Sequence, residues 1–436
     1  MNELIYSTKI KEKYNVDVCI VGGGPAGIAA AVVAARKGVS VFLAESQGFF
    51  GGLATTSLVP AFMPFDDGIN FLAGGIGKEI FDLCLEKRFY YAGRTVGIHI
   101  ERYKWICDNL ITKEKNITYS FFTTLIDVIK DGDNRVNYAV FNAKSGTFAV
   151  KARIFIDCSG DGDLCAFAGN PYEFGDEFGK VMPSTLCTIW GDINWADKSF
   201  PDNQQLERAF EDKVFTQEDR HLSGMWRTGE NLGGGNIGHC FDVDATDEVS
   251  LTKAMITGRK ILPEYEKYYR EYLGRGYQNA GIVISGSYLG VRESRRITGD
   301  YILSMEDFMN RASFDDEIGR FSYPVDIHIA NTTKEAYEKF RREHTEMRYK
   351  SGESYGIPYR ILLPNALENV YVAGRCASTD KKMQSSIRVM PACFIMGQAA
   401  GMSAAMAIKV NCDTRGVNVQ ELQKELKGIG GYLPNA

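Results

Sequence analysis

Ten cysteines are spread along the 436 residues, and no two of them stand at Cys-x-x-Cys spacing. The paired thiols of a redox-active disulfide and the paired ligands of a zinc site are therefore missing, and no metal is expected. Most of the cysteines lie inside apolar runs, which predicts buried free thiols and a reducing, cytoplasmic setting. The N-terminus has neither a long apolar core nor a small-residue cleavage site, so no export signal is read there. The alanine-rich stretch 26–35 is too short to span a bilayer, and no membrane partner is expected. Fifty basic residues against 55 acidic ones give a net charge of −5. With no basic stripe interleaved with aromatics, nucleic acid is not an expected partner either. Internal repeats, low-complexity tracts and flexible linkers are lacking too.

Glycine is abundant, at 45 residues. Apolar residues make up 44% and charged residues 24%, the composition of a globular chain with a substantial core. The length fits two large structural units or three smaller ones.

The run Val16-Asp-Val-Cys-Ile-Val21 predicts a buried strand. It leads into Gly22-Gly-Gly24-Pro25-Ala26-Gly27 and an alanine-rich helix that ends before Gly38. Val39 to Glu45 predicts a second strand. In a strand–turn–helix–strand unit the spacing Gly22-x-Gly24-x-x-Gly27 has a physical meaning. Gly22 permits the tight turn, Gly24 lets a pyrophosphate approach the backbone, and Gly27 lets helix and strand pack closely. The free N–H groups of the helix start attract an anion. Glu45, at the end of the second strand, is placed to accept hydrogen bonds from ribose hydroxyls. Together these features point to a bound dinucleotide.

Further along, residues 75–115 read as mostly helical. Residues 117–150 alternate with turn signals and predict hairpin strands, and 152–157 reads as another buried strand. The middle of the chain, about 180–350, differs in character and holds Trp190, Trp195 and Trp226. The short apolar strand pattern returns at 359–363 and 370–373, before a long small-residue helix over 390–408. A second match to the glycine spacing, Gly233-Gly-Gly235-Asn-Ile-Gly238, has no buried strand before it and no helix after it, and reads as a glycine-rich loop.

Several further segments occur together: Gly51-Gly52-Leu53-Ala54-Thr-Thr56, Asp157-Cys-Ser-Gly-Asp-Gly-Asp163, Gly290-Val-Arg-Glu-Ser-Arg-Arg-Ile-Thr-Gly-Asp-Tyr301, Val372-Ala-Gly-Arg-Cys-Ala377, and Ser386-Ile-Arg-Val-Met-Pro391 leading to Gly397-Gln-Ala-Ala-Gly401. In this combination the chain resembles the FAD-dependent oxidoreductases of the glutathione-reductase type, over roughly 14–178 and 280–408. The resemblance implies an α/β fold: a Rossmann-like three-layer FAD-binding domain, discontinuous over 14–178 plus 355–436. A mixed α+β substrate domain, 179–354, would be inserted into it.

The resemblance also implies a set of FAD contacts. Gly22, Gly24, Pro25, Ala26 and Gly27 would meet the pyrophosphate, and Glu45 the adenosine ribose. Gly51, Gly52, Leu53 and Ala54 would pass along the flavin side. Leu125 would meet the adenine, and Ser159 and Gly160 the phosphate side. Gly374 and Arg375 would lie near the ribityl chain, where relatives often carry Asp in place of Arg. Arg388 would contact flavin or substrate. The helix start at Gly397, with Ala399, would face the flavin pyrimidine edge.

For the reacting centre, His239 stands in a Gly/Asn segment of the inserted region. It is the expected proton acceptor, with an ordinary pKa near working pH. Arg292 and Arg295 are the expected clamps for an acidic substrate. On a strand, 292 and 296 would share one face and 295 the other. The expected function is an FAD-dependent oxidoreductase exchanging a hydride with a small organic substrate. The alternative is a partner-dependent electron-transfer subunit, whose substrate wall would lack converging polar groups. The substrate, the electron donor or acceptor and the oligomeric state are not legible in the sequence.

Overall fold

The computed structural model describes residues 7–197, 203–222, 224–330, 333–344 and 347–436. Its centre is a seven-stranded sheet. Strand β1 (Lys11–Val21) is followed by helix α1 (Pro25–Arg36) and strand β2 (Val41–Ala44). Strands β3 (Ile117–Ser120), β4 (Thr124–Lys130), β5 (Val136–Ala143) and β6 (Gly146–Asp157) come next, and β7 (Val370–Val372) returns from the C-terminal part. The order is β3-β2-β1-β6-β5-β4, with β7 against the end of β6. The β1, β2, β3, β6 and β7 neighbours run parallel, and β4–β5–β6 form antiparallel hairpins. The expected strand at 152–157 is the second half of β6, so one long strand serves both the hairpin and the parallel core.

The parallel strands are apolar on both faces because helices cover one side and the hairpins bend over the other. Val18, Ile20, Leu43 and Ile156 face α1 and its neighbours. Cys19, Phe42, Phe141 and Phe155 fill the opposite layer. Helix α2 (Met390–Val410) packs directly along α1. Its glycines make that approach possible: a Cβ at Gly397 would lie 2.1 Å from the Ala26 carbonyl oxygen, and one at Gly401 2.3 Å from that of Ala30. Among the described residues α2 is the one helix long and apolar enough to cross a membrane. Its most apolar window is 78% buried inside the fold, as expected of a core helix.

The inserted unit is built on a four-stranded antiparallel sheet, ordered Met225–Arg227, Gly233–Gly235, Thr188–Gly191, Gly281–Ser285. The helix Glu248–Lys267 and the π-turn Tyr268–Leu273 back it, and Trp190, Tyr265, Tyr268 and Tyr269 fill its core. Two expectations change here. Gly233–Gly235 is an interior strand, paired with Met225–Arg227 on one side and Thr188–Gly191 on the other; a Cβ at Gly234 would lie 2.2 Å from Pro60 Cβ. The insert also ends earlier than 354. Over 295–325 the chain is back on the first domain: Ile297 N–H donates to Cys376 O at 2.9 Å and Asp300 N–H to Leu363 O at 2.9 Å, while His328, Lys334 and Tyr337 beyond it touch the inserted unit again. Leu303, Phe308, Ile318, Phe321 and Val325 join the main core.

Candidate active site

The β1–α1 turn is tight because of its neighbours. Gly22 has φ +97°, and a Cβ there would lie 2.4 Å from the Cys158 carbonyl oxygen. A Cβ at Gly27 would lie 1.8 Å from the Gly22 carbonyl oxygen. Gly24 is different. A Cβ there would meet only Gly52 Cα, at 3.6 Å, so its surface is open. Helix α1 begins with Pro25 and has no side-chain cap, which leaves its first N–H groups for an anion.

These residues border a cavity of about 310 Å³. Gly22, Gly24, Pro25, Ala26 and Glu45 line one side, with Gly52 and Leu53 from the following loop. Leu125, Ser159, Gly160, Gly374, Arg375 and Arg388 complete it. Glu45 is buried, and its two oxygens accept the N–H groups of Gly23 and Gln47, each at 2.8 Å. Burial pushes its carboxyl pKa up, against the pull of those N–H donors. Ser159 Oγ donates to Asp157 Oδ1 at 2.7 Å, which shapes the loop after β6. Arg375 is held by Asp161 at 2.7 Å and by Ser294 Oγ at 3.0 Å. An open glycine surface, an uncapped helix end and a buried carboxylate suit the pyrophosphate and ribose of FAD.

Five expected contacts, Gly27, Gly51, Ala54, Gly397 and Ala399, do not border this cavity. Gly27 serves strand–helix packing and does not border the cavity. Gly51 turns toward Thr55 and Tyr103. Gly397 and Ala399 lie inside α2, whose first residue is Met390, seven positions before Gly397. Gly397 is pressed on α1, and it is Met390 that borders the cavity.

A second cavity, of about 280 Å³, adjoins the first. Leu53, Arg375, Arg388 and Met390 border both, and Ala54 borders only the second. Val59, Ala61, Met63, Trp226 and Val389 give it apolar walls. His221, Asn236, Arg292, Tyr323, Asp326 and His328 converge on it from the insert and from the segment after the strand Glu317–Phe321.

Arg292 is 5% exposed. Its guanidinium donates to Pro183 O at 2.8 Å, Thr185 Oγ1 at 2.9 Å and Asn236 Oδ1 at 3.0 Å, all neutral acceptors. Among the described residues no carboxylate forms an ion pair with it. Burial and the nearby Arg388 press its pKa down to about 10. Arg292 precedes the strand Arg295–Ile297, so strand alternation does not relate the two; Arg295 does not border this cavity. It pairs with Asp163 at 2.8 Å and stacks over Tyr172. Arg296 pairs with the buried Glu293.

His239 is not the residue that borders the cavity. It lies in a buried two-residue strand paired with Ser184–Thr185. Its Nδ1 is 3.1 Å from Asp219 Oδ1, its backbone N–H donates to Asp219 Oδ2 at 2.9 Å, and its Nε2 is 2.9 Å from His328 Nδ1. His328 does border the cavity, with its Nε2 3.7 Å from Asp326 Oδ1. Asp326 is anchored by Arg388 at 3.1 Å and Tyr323 Oη at 3.3 Å. Burial drives the pKa of His328 well below the usual histidine value, and that of His221 down to about 4. Asp219, Asp326, His221 and His328 stand outside the sequence-based set. No local motif marks them.

Residues 17–426 match the family model described as FAD dependent oxidoreductase, and the chain belongs to that family. It is thus an FAD-dependent enzyme with a Rossmann-type fold. The thioredoxin reductase of Ureaplasma parvum serovar 3 (strain ATCC 700970) is 45% identical over 162 residues, 32% of this chain and 51% of that protein. The 4-oxocyclohex-2-ene-1-carboxylate 5-dehydrogenase of Sinomonas cyclohexanicum is 36% identical over 75 residues, 17% of this chain and 12% of that protein. The chain therefore spans about half of one curated relative and an eighth of the other. Among solved structures, a geranylgeranyl bacteriochlorophyll reductase-like protein of Thermoplasma acidophilum aligns with a TM-score of 0.48 at 13% identity, over 95% of this chain and 84% of that one.

Proposed function

We propose that this enzyme exchanges a hydride with a small organic anion, such as a monocarboxylate, bound in the second cavity beside the flavin. The observation that carries this is Arg292. A buried guanidinium without a carboxylate partner is costly, on the order of several kcal/mol. Here it borders a cavity large enough for a small molecule. Asp326 and Asp219 act on it only from beyond ion-pair distance; an anionic substrate would supply a carboxylate in direct contact, and the guanidinium fork suits one. Bound FAD would supply the two-electron chemistry of its isoalloxazine.

The protein's own groups divide the remaining work. Asn236 and Thr185 hold the Arg292 fork in place. Arg388 stands at the junction of the two cavities, beside Asp326. Val59, Met63, Trp226 and Val389 keep water from the reacting atoms. His328 is the group placed to hold or release a proton at Nε2. The convergence of these polar groups favours an enzyme with its own substrate over a partner-dependent electron-transfer subunit. The sequence also lacks the Cys-x-x-Cys pair that dithiol exchange requires.

The test begins with an anaerobic visible-spectrum titration of the holoprotein with NADH and NADPH, which identifies or removes nicotinamide as the donor. Benzoate is then titrated against the flavin band, with benzyl alcohol as the neutral control. Benzoate should perturb the band and benzyl alcohol should not. Arg292→Met should weaken the benzoate response at least tenfold at unchanged flavin content. Equal responses of wild type and variant would falsify the anion reading.

A further inference from the structure

We infer that Asp219, His239 and His328 form a proton relay whose open end, His328 Nε2, faces the substrate cavity. It rests on the proposed reading of that cavity as the substrate site. The distances give the chain a direction. At its inner end Asp219 is within hydrogen-bond reach of His239, and at the middle the two imidazoles meet at 2.9 Å. At its outer end Asp326 stands 3.7 Å from His328 Nε2, beyond a direct hydrogen bond.

That geometry selects the tautomers. Asp219 is acceptor-only, so His239 must carry its proton on Nδ1. Its Nε2 is then an acceptor, so His328 must carry its proton on Nδ1 as well. The lone pair then lies on His328 Nε2, the ring nitrogen that His239 does not engage, on a residue that borders the cavity beside Asp326. Asp219 is itself fixed by the backbone N–H groups of His221 and His239 and by Tyr265 Oη. His239 and Asp219 are therefore positioning residues, and His328 is the group that meets substrate.

Proton transfer through the chain balances without any electron transfer. The substrate O–H or N–H bond breaks, its electron pair stays on the heteroatom, and an N–H bond forms at His328 Nε2. The Nδ1 proton of His328 can then pass to His239 Nε2, which puts the positive charge beside Asp219. Asp326 favours the proton at the outer end. Arg292 and the ring of His221, 4.3 Å away, oppose it. Both imidazoles have lowered pKa values through burial, so the relay is in its neutral, proton-accepting form near pH 7.

The experiment is 15N-histidine NMR of the flavin-loaded protein, whose five histidines are assigned with single His→Gln variants. In wild type, His239 and His328 should each show a pyrrole-type Nδ1 and a pyridine-type Nε2. In Asp219→Asn the backbone N–H of His239, the shorter contact at 2.9 Å, keeps the amide oxygen; the amide nitrogen faces Nδ1, and the His221 N–H, at 3.2 Å, gives up its acceptor. Both rings should then switch, and His328 Nε2 should become the protonated nitrogen. A protonated Nε2 on His328 in wild type overturns the relay, and so does an unchanged His328 in the variant. If the variant does not retain flavin, the wild-type tautomers alone decide. The readout needs no substrate, so a failed benzoate titration would remove the anion reading and leave the relay standing.

Discussion

His328 Nδ1 lies 2.9 Å from His239 Nε2, yet only His328 borders the cavity. The base expected from sequence is thus one imidazole removed from the substrate. It reaches the cavity through a residue 89 positions later in the chain. Histidines this buried stay neutral in the fold, and that has consequences for stability as well as for chemistry.

His221, His239 and His328 all have depressed pKa values, with burial as the first cause. The unfolded chain takes up a proton at each near pH 6.5, while folded His221 resists down to about 4. Between those values the unfolded state binds more protons, so stability falls as the pH falls. Asp163, lifted to about 6 by burial, opposes this in part of the same window. The difference between wild type and a variant isolates the histidine. From pH 7.5 to 5, wild type should lose about 2 kcal/mol more stability than His221→Asn in urea unfolding. Parallel losses in both proteins would remove His221 from the account.

The glycine turn makes a sharper distinction. At Gly24 a Cβ meets only Gly52 Cα at 3.6 Å, so Gly24→Ala should fold normally. The methyl group would stand where a pyrophosphate has to approach, and FAD affinity should fall at least tenfold, ~1.4 kcal/mol. At Gly27 a Cβ would lie 1.8 Å from a backbone oxygen, so Gly27→Ala should lose stability with or without FAD. Apo-protein melting curves and FAD titrations of the two variants separate the effects. A Gly24→Ala protein with wild-type FAD affinity would place the pyrophosphate elsewhere.

The same steric logic tests the role of Gly397. If it served the flavin, Gly397→Ala would change the flavin spectrum at constant stability. Its neighbour is instead the Ala26 carbonyl oxygen at 2.1 Å, across the α1–α2 contact. Overpacking of this kind costs about 1–3 kcal/mol. Gly397→Ala and Gly401→Ala should therefore lower the apo-protein melting temperature by similar amounts, with the spectrum of any bound flavin unchanged.

The two cavities differ in how far their residues could be read from sequence. Most residues around the first come from contiguous runs, 21–26, 44–47, 52–53, 123–125, 158–161 and 373–375. A turn, a helix start and a strand end each leave a local pattern there. The second cavity takes single residues from distant segments: Leu53, Met63, Cys187, His221, Asn236, Arg292, Asp326, Met390. No spacing rule connects Asn236 to Asp326. His239 stands out in the sequence because Asn236 and Gly238 are near it, but Asn236 serves Arg292 and Gly238 belongs to a packed corner. A Cβ on Gly238 would lie 2.7 Å from the Tyr265 ring. Strand alternation cannot separate Arg292 from Arg295, because the strand begins only at Arg295. What decided between them was the tertiary partner of each, and sequence carries no record of that.

That partner difference gives the last prediction. Arg295 has its carboxylate, Asp163, at 2.8 Å, whereas the hydrogen-bond acceptors of Arg292 are all neutral. An anion that binds the folded protein stabilises it by RT ln(1 + [L]/Kd), about 2.7 kcal/mol at a hundredfold excess over Kd. Benzoate at that excess should raise the stability of wild-type holoprotein by this amount. Arg295→Met should respond like wild type, because its loss leaves the second cavity untouched. Arg292→Met should lose nearly the whole effect. Its own stability without benzoate should stay within about 1 kcal/mol of wild type, since removal of a buried charge that has no ion pair offsets the lost hydrogen bonds. The contrast is measured by denaturant melts with and without benzoate. A response lost in Arg295→Met and kept in Arg292→Met would move the anion site from the second cavity to the Asp163 side of the fold.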